Sequence, residues 1–370
     1  MVLADAGFTV EAICPRVHFL AHTPAVKRLH RYGTLGGLSS LRSALAKAKP
    51  AIVIPCDDLA LNHLHRLHDA TPTSSDTGEI RAVVERSLGN PLSYPKVESR
   101  SRLLALVRQE GEAAVETTVI SSSDSLKDWL TSNGFPAVLK TDGSSGGYGV
   151  RIVTSFEEAE TARRKLATPP GLAMAIKRAL VNRNRTFILP ALERATPVVN
   201  AQRFIKGAEV TSTVTCWQGE VRAALTFEVL RAMYSGGPAS VIRPVENEAI
   251  DGTIRKTVAR LGLSGICGFD FIIEKGTGIP RLIELNPRAT QTAHIRLGPG
   301  HDTASALFSA LTGKSAPAPD DEIKGDTIAL FPQEWIRDPS GEYLKTAFHD
   351  VPWKEPALLE AIFASEGKRL

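Results

Sequence analysis

The sequence predicts an α/β protein of more than one domain, with a small parallel α/β layer first and a mixed α+β module built on antiparallel hairpins after it. Three observations carry this reading. Residues 1–95 alternate short apolar runs with helix-length patterns, and the stretches 210–230 and 266–286 each read as two strands around a turn. A chain of 370 residues, 43% hydrophobic and 23% charged, also exceeds what one hydrophobic core organises.

In order, Met1–Ala6 reads as the end of a helix with no strand ahead of it, so the α/β layer is expected to lack its first strand. Phe8–Cys14 and Ala51–Pro55 are the apolar runs of that layer, alternating with helical patterns at Leu38–Ala48 and Leu59–His68. Asn90–Pro95 carries two prolines and leads into a helix over Ser99–Glu110. Phe135–Lys140 and Val150–Thr154 are strands flanking a glycine-rich loop, Asp142–Gly149. Val210–Trp217 and Glu220–Leu230 alternate at period two around Gln218-Gly219, a hairpin. Ile250, Ile254, Val258 and Leu261 recur at helical spacing ahead of Gly262, a natural stop. A second hairpin joins Ile266–Glu274 to Arg281–Asn286, and a Pro-rich stretch, Ala316–Asp320, sets off the last segment. The expected units are 1–95, 96–313 and a C-terminal extension, 314–370.

Composition narrows the function. A net charge of +4 gives no electrostatic argument for nucleic acid or membrane as main partner. No apolar run reaches the roughly 18 residues of a membrane span, and Met1–Val10 lacks the basic start of a signal peptide, so a cytoplasmic location is expected. Cys14, Cys56, Cys216 and Cys267 have no paired spacing and read as buried thiols.

The chemistry-bearing residues cluster in the second hairpin. Asp270 alternates away from Phe269 and Phe271, and Glu284 and Asn286 alternate away from Ile283 and Leu285. A turn centred on Thr277 sets Asp270 opposite Glu284, with Asn286 two residues further along. Cross-strand neighbours about 5 Å apart suit one or two magnesium ions bridging phosphates; a solvated sheet face is the plain alternative. Asn286-Pro287-Arg288 adds a fixed turn and a cation. Lys140 ends an apolar strand just before Gly143, Ser144, Ser145, Gly146, Gly147 and Gly149, whose backbone amides can cradle phosphate oxygens.

With these residues assembled, the chain resembles the ATP-grasp superfamily of ATP-dependent carboxylate ligases, which includes biotin carboxylase, carbamoyl-phosphate synthetase and D-alanine ligase. The resemblance runs from about Lys96 to Gly313, and Gly-Phe-Asp-Phe, twelve residues, then Glu-Leu-Asn-Pro-Arg is its most specific signal. It implies a lid subdomain at about 130–200 and a metal-binding, antiparallel-sheet subdomain at about 201–313. It implies Asp270, Glu284 and Asn286 as ligands of Mg2+ or Mn2+, and Arg288 as the cation beside the transferred phosphate. Lys140 and Arg100 would meet phosphates, with Arg100 standing where Lys is usual. Gln202, Arg203 and Ile205 would meet adenine and Glu209 the ribose, Gln202 replacing the more common Glu. Arg243 is a further phosphate-facing cation, or equally a surface arginine. The first 95 residues resemble the α/β domain that precedes such modules, whose first strand is absent here; a start site placed too late or a covering neighbour is expected.

The implied activity joins a small-molecule carboxylate to an amine. Oxide is not a leaving group in neutral water, so γ-phosphoryl transfer from ATP first makes an acyl phosphate, which the amine then attacks. The alternative is a catalytically silent ATP-binding sensor or partner protein, as decay at Arg100 and Gln202 would produce. His63, His65 and His68 on one helix are expected to be surface residues rather than metal ligands. The seven Lys and Arg of Arg163–Arg185 read as a solvated lid face, there being no aromatic residues between them for base stacking. Asp57 and Asp58 serve either a substrate amine or a helix N-cap. The extension, with Trp335, Phe348 and Trp353, is expected to cover the core or form a homodimer contact.

Overall fold

The computed structural model describes residues 1–16, 18–33, 36–71, 78–143, 149–168, 197–298, 300–318, 323 and 325–366. Strands β1 (Val10–Cys14) and β2 (Val26–Arg31) pair in parallel. Leucines at three- and four-residue spacing draw the helices Gly37–Ala48, Asp58–Ala70 and Gly78–Leu88 into one core of Leu41, Leu45, Leu61, Leu64, Leu67, Ile80 and Leu88. The apolar run Ala51–Pro55 forms no strand. Its backbone is met by side chains instead: Val53 N donates to Ser87 Oγ (2.9 Å) and Arg86 Nε to the Ala51 carbonyl (2.7 Å).

Two further expectations are corrected here. Cys14, Cys216 and Cys267 are buried free thiols, but Cys56 is exposed. His63, His65 and His68 are buried, not on the surface, because each ring has a polar partner within the fold. His65 Nδ1 lies 2.5 Å from Glu98 Oε1, His68 Nε2 lies 2.9 Å from Glu85 Oε1, and His63 Nδ1 lies 2.6 Å from the Tyr32 hydroxyl.

Strands β3 (Thr117–Val119), β4 (Ala137–Thr141), β5 (Val150–Val153) and β6 (Val199–Arg203) form a four-stranded sheet in the order β3-β6-β4-β5. Strands β7 (Gly207–Trp217), β8 (Glu220–Ala232), β9 (Ala239–Pro244), β10 (Gly265–Glu274), β11 (Pro280–Asn286), β12 (Ile328–Ala329) and β13 (Phe348–His349) form the larger sheet, in the order β11-β10-β7-β8-β9-β12-β13. Gln218 and Gly219 both take positive φ, +52° and +83°, the two-residue turn that matches strand twist between β7 and β8.

The helix Glu248–Leu261 is capped by Asn247, which accepts from Ala249 N and Ile250 N, and stops at Gly262 with φ +61°. Its Ile250, Ile254, Val258 and Leu261 pack with Phe269, Phe271 and Val210 of the sheet and with Leu103, Leu104 and Val107 of the helix Arg100–Gln109. That helix is therefore pinned by its leucines, with Arg100 as its first residue. The C-terminal segment contributes β12 and β13, whose Ile328 packs with Phe227 and Ile295. No helix among the described residues is long and apolar enough to cross a membrane.

Candidate active site

Asp270 is paired with Glu284 and Gly268 with Asn286 across β10 and β11. The route to that register differs from the sequence expectation. Near the turn Ile273 faces Pro280 and Phe271 faces Leu282, and a bulge at Asp270/Phe271 then absorbs one extra residue on β11. Pro280, Leu282 and Leu285 are the buried positions, and the bulged Ile283 is only half-buried, so strict alternation fails at 283. The bulge turns the Ile283 carbonyl toward Gln202, whose Nε2 lies 3.4 Å away.

On the neighbouring strand Thr211 stands opposite Asp270 and donates its hydroxyl to Asp270 Oδ1 (2.8 Å), while Asn286 Nδ2 donates to Oδ2 (3.0 Å). Thr211 was not singled out from sequence; its period-two spacing from Glu209 is the signal that would have found it. Burial first and the Glu284 charge second push the Asp270 carboxyl up to about 6. Burial also acts on Glu284, but Arg100 and Lys140 outweigh it and hold that carboxyl below its ordinary value.

Lys140, Asn200 and Gln202 share one face of the smaller sheet, Lys140 being paired with Asn200 and Val138 with Gln202. Lys140 is 7% exposed; burial pulls its ammonium below the ordinary lysine value against the attraction of Glu284. Arg100 joins the two sheets. It donates Nη1 to the Thr141 carbonyl (2.9 Å) and Nη2 to Glu284 Oε1 (2.6 Å), and Asp142 lies 3.7 Å away. Arg288 donates Nε to Asp58 Oδ1 (2.7 Å) and Nη2 to both Asp58 Oδ2 (3.3 Å) and Asn286 Oδ1 (3.2 Å). The N-terminal unit thereby reaches the cluster, supported by Ala289 N donating to the Pro55 carbonyl.

The structure thus brings together Arg100, Lys140, Asp270, Glu284, Asn286 and Arg288. Gln202 is buried at the edge of this group, with Nε2 on Thr117 Oγ1 (3.0 Å), and Ile205 is buried beside it in the chain. Arg203 is exposed and reaches Glu274 (3.3 Å). Glu209, two residues from Thr211, lies on the Asp270 face and its charge is felt at Lys140. Gly143 adopts φ +66° and the Gly149 carbonyl accepts from Thr141 N (3.1 Å); Ser144, Ser145, Gly146 and Gly147 lie outside the described residues, as do residues 169–185 of the basic lid stretch. Arg243 is not brought to the cluster. It pairs with Glu228, which stands opposite Val210, on the sheet face turned away from Thr211 and Asp270.

Among the described residues no three or more His, Cys, Asp or Glu side chains gather as a metal site. The cluster is two carboxylates and an amide, an oxygen-only donor set that fits a hard divalent cation.

Residues 125–292 match the ATP-grasp domain family. That stretch, somewhat under half of the chain, is similar to an ATP-grasp domain. The chain is 20% identical over 239 residues to the carbamoyl phosphate synthase large chain, N-terminal section, of Methanopyrus kandleri; the match covers 64% of this chain and 39% of that relative, so this chain spans about two fifths of the relative's length. Its fold is shared with the biotin carboxylase domain of Hydrogenobacter thermophilus 2-oxoglutarate carboxylase, a dimer solved with MgADP and bicarbonate (TM-score 0.58, 13% identity, 87% of this chain and 68% of that one). N5-carboxyaminoimidazole ribonucleotide synthetase from Thermus thermophilus (0.57, 17%, 86% and 77%) and the L-amino acid ligase from Bacillus licheniformis (0.55, 15%, 84% and 71%) have the same architecture.

Proposed function

We propose that this protein is an ATP-dependent ligase that activates a small-molecule carboxylate as an acyl phosphate and joins it to an amine, releasing ADP and phosphate. One observation carries the reading: Asp270 and Glu284 are paired beside Asn286 on a single sheet face, ringed by Arg100, Lys140 and Arg288. Phosphoryl transfer asks for positioning and charge neutralisation more than for covalent help, and this is an array of fixed cations and oxygen ligands. Asp270, Glu284 and Asn286 would hold magnesium, which supplies neutralisation of the phosphate oxygens when bound. Lys140 and Arg100 face the phosphates, and Arg288 faces the transferred group. Gln202, Arg203 and Ile205 line the adenine end and Glu209 the ribose. Gly143 and Gly149 bring backbone amides to the phosphate end. Arg243, on the other face, is left out.

The organisation we propose is an N-terminal α/β unit over 1–95, the ATP-grasp unit over 96–313 and an extension over 314–370, acting in the cytoplasm on small molecules. The relatives' names, a carbamoyl phosphate synthase chain and an L-amino acid ligase, support acyl activation by ATP. The test is magnesium-dependent ADP release with pooled amino acids, bicarbonate and other small carboxylates and amines, comparing wild type with Glu284→Gln. Pool-dependent release that the variant loses is expected. Equal release by the variant sinks the assignment.

A further inference from the structure

We infer, building on the ligase reading above, that Asp58 anchors the incoming amine as its ammonium, with Arg288 beside it on the acyl phosphate. The two side chains are an adjacent pair of opposite charges at the seam between the N-terminal unit and the metal-ligand strands, with Nε–Oδ1 at 2.7 Å and Nη2–Oδ2 at 3.3 Å. Asp57 caps the helix, its Oδ1 accepting from Ala60 N (2.7 Å), and it is Asp58 that meets Arg288. Asp58 has room for a further donor. A carboxylate has about four acceptor positions; Arg288 uses two, and the Asp58 side chain keeps 22% of its surface open. Its charge is felt as far as Arg100, so it belongs to the field of the cluster.

Electrostatics demands such a group. Arg100, Lys140 and Arg288 suit a phosphate but repel an ammonium brought to within attacking distance, by about 3 kcal/mol per like pair at 6 Å and an effective dielectric constant near 20. A carboxylate on the Arg288 flank offsets that repulsion where the nucleophile must arrive. On reaction the ammonium releases one proton to solvent and the freed nitrogen pair forms the C–N bond. The acyl C–O bond breaks with its electrons leaving on phosphate, and the second proton departs to phosphate or water. Asp58 thus selects cationic acceptors over neutral ones.

The experiment is a competition for the acyl group between the amino-acid pool and hydroxylamine, which is largely uncharged near neutral pH. The hydroxamate is read by its ferric complex and the remainder as ADP in excess of hydroxamate, the ADP release of an acceptor-free control being subtracted. Asp58→Asn is expected to shift the partition toward hydroxamate at least about tenfold, the weight of one charge-assisted contact, and Asp58→Glu to move it back toward wild type. General damage slows both products together and leaves their ratio alone. An unchanged ratio overturns the inference, as does a folded Asp58→Asn enzyme that releases no ADP, or a wild type that makes hydroxamate and no amide. No hydroxamate and no acceptor-dependent ADP from wild type defeats the ligase reading itself.

Discussion

Lys140 should weaken the fold it sits in, and replacing it with methionine tests this. Its ammonium is buried at the end of β4, where loss of water costs several kcal/mol even after relaxation. Glu284, Asp270 and Glu209 return part of that, and Arg100, of like sign, opposes them. The balance is a folded-state pKa below the ordinary lysine value of 10.5. Since the unfolded chain then holds the proton more tightly, the charged form penalises folding at every pH below the folded value. Methionine keeps the apolar stem and removes the desolvation cost, so Lys140→Met is expected to raise the unfolding free energy at neutral pH by about 1 kcal/mol or more, the ordinary scale of a point-mutation effect. The gain shrinks as pH rises through the folded pKa toward 10.5, because the wild type sheds its proton there.

The same substitution should weaken binding of a non-hydrolysable ATP analogue with magnesium by about 100-fold, some 2.7 kcal/mol. Urea unfolding across pH and titration calorimetry give the two numbers. A variant destabilised by more than about 1 kcal/mol with nucleotide affinity intact would refute the reasoning, since Lys140 would then be a structural strut.

Three other outcomes are expected. Glu112 accepts from Thr253 Oγ1 (2.6 Å) and pairs with Lys256; burial works against its charge, but these bonds win and hold its carboxyl below the ordinary value. Its stabilisation is therefore present above the unfolded pKa near 4.3 and lost as pH falls through the folded one; with Lys256 exposed, Glu112→Gln should cost about 0.5–1 kcal/mol at pH 7 and nothing in acid, by urea unfolding at both. Phe271→Ala, in the core beneath the Asp270 strand, should cost ~3–5 kcal/mol by the same assay, and under 1 kcal/mol would show the core is not packed as described. Gly89 has φ +90° and an added Cβ would lie 2.0 Å from the Gly262 carbonyl, so Gly89→Ala should cost ~2–4 kcal/mol and expose the seam between the first unit and the sheet to proteolysis.

The hairpins, the helix Glu248–Leu261 with its Gly262 stop, and the face shared by Asp270, Glu284 and Asn286 were legible because period and turn residues are local properties. The bulge was not: Ile283 is as apolar as Leu282 and Leu285, and only packing shows which of the three is the extra residue. Ala51–Pro55 reads as a strand from composition, yet a strand exists only where another backbone pairs with it, and no local pattern supplies the partner. The buried histidines failed for a related reason, since Glu85, Glu98 and Tyr32 come from other elements. Arg243 shows the limit of position along the chain: it follows a flexible-looking loop near the right place, but the register with Glu228 fixes the opposite face.

The cluster is built so that no element can form it alone. Arg100 comes from a helix start, Lys140 from the smaller sheet, Asp270, Glu284 and Asn286 from the larger one, and Arg288 is held by a carboxylate of the N-terminal unit. Each carboxylate that keeps a buried cation charged is supplied by a different piece: Glu284 for Arg100, Asp58 for Arg288, and Glu284 with Asp270 for Lys140. Such pairs do little for stability, because desolvation consumes most of their attraction. What they secure is position: under the proposed phosphoryl transfer, the charges are already aimed before a phosphate arrives, so little reorganises at that moment. The stability must come from elsewhere, and it lies one layer below, where Phe269, Phe271, Leu282 and Leu285 alternate with the polar residues along the same two strands. The strands that carry Asp270, Glu284 and Asn286 on one face carry the core on the other, which is why a change of register there would cost fold and cluster together.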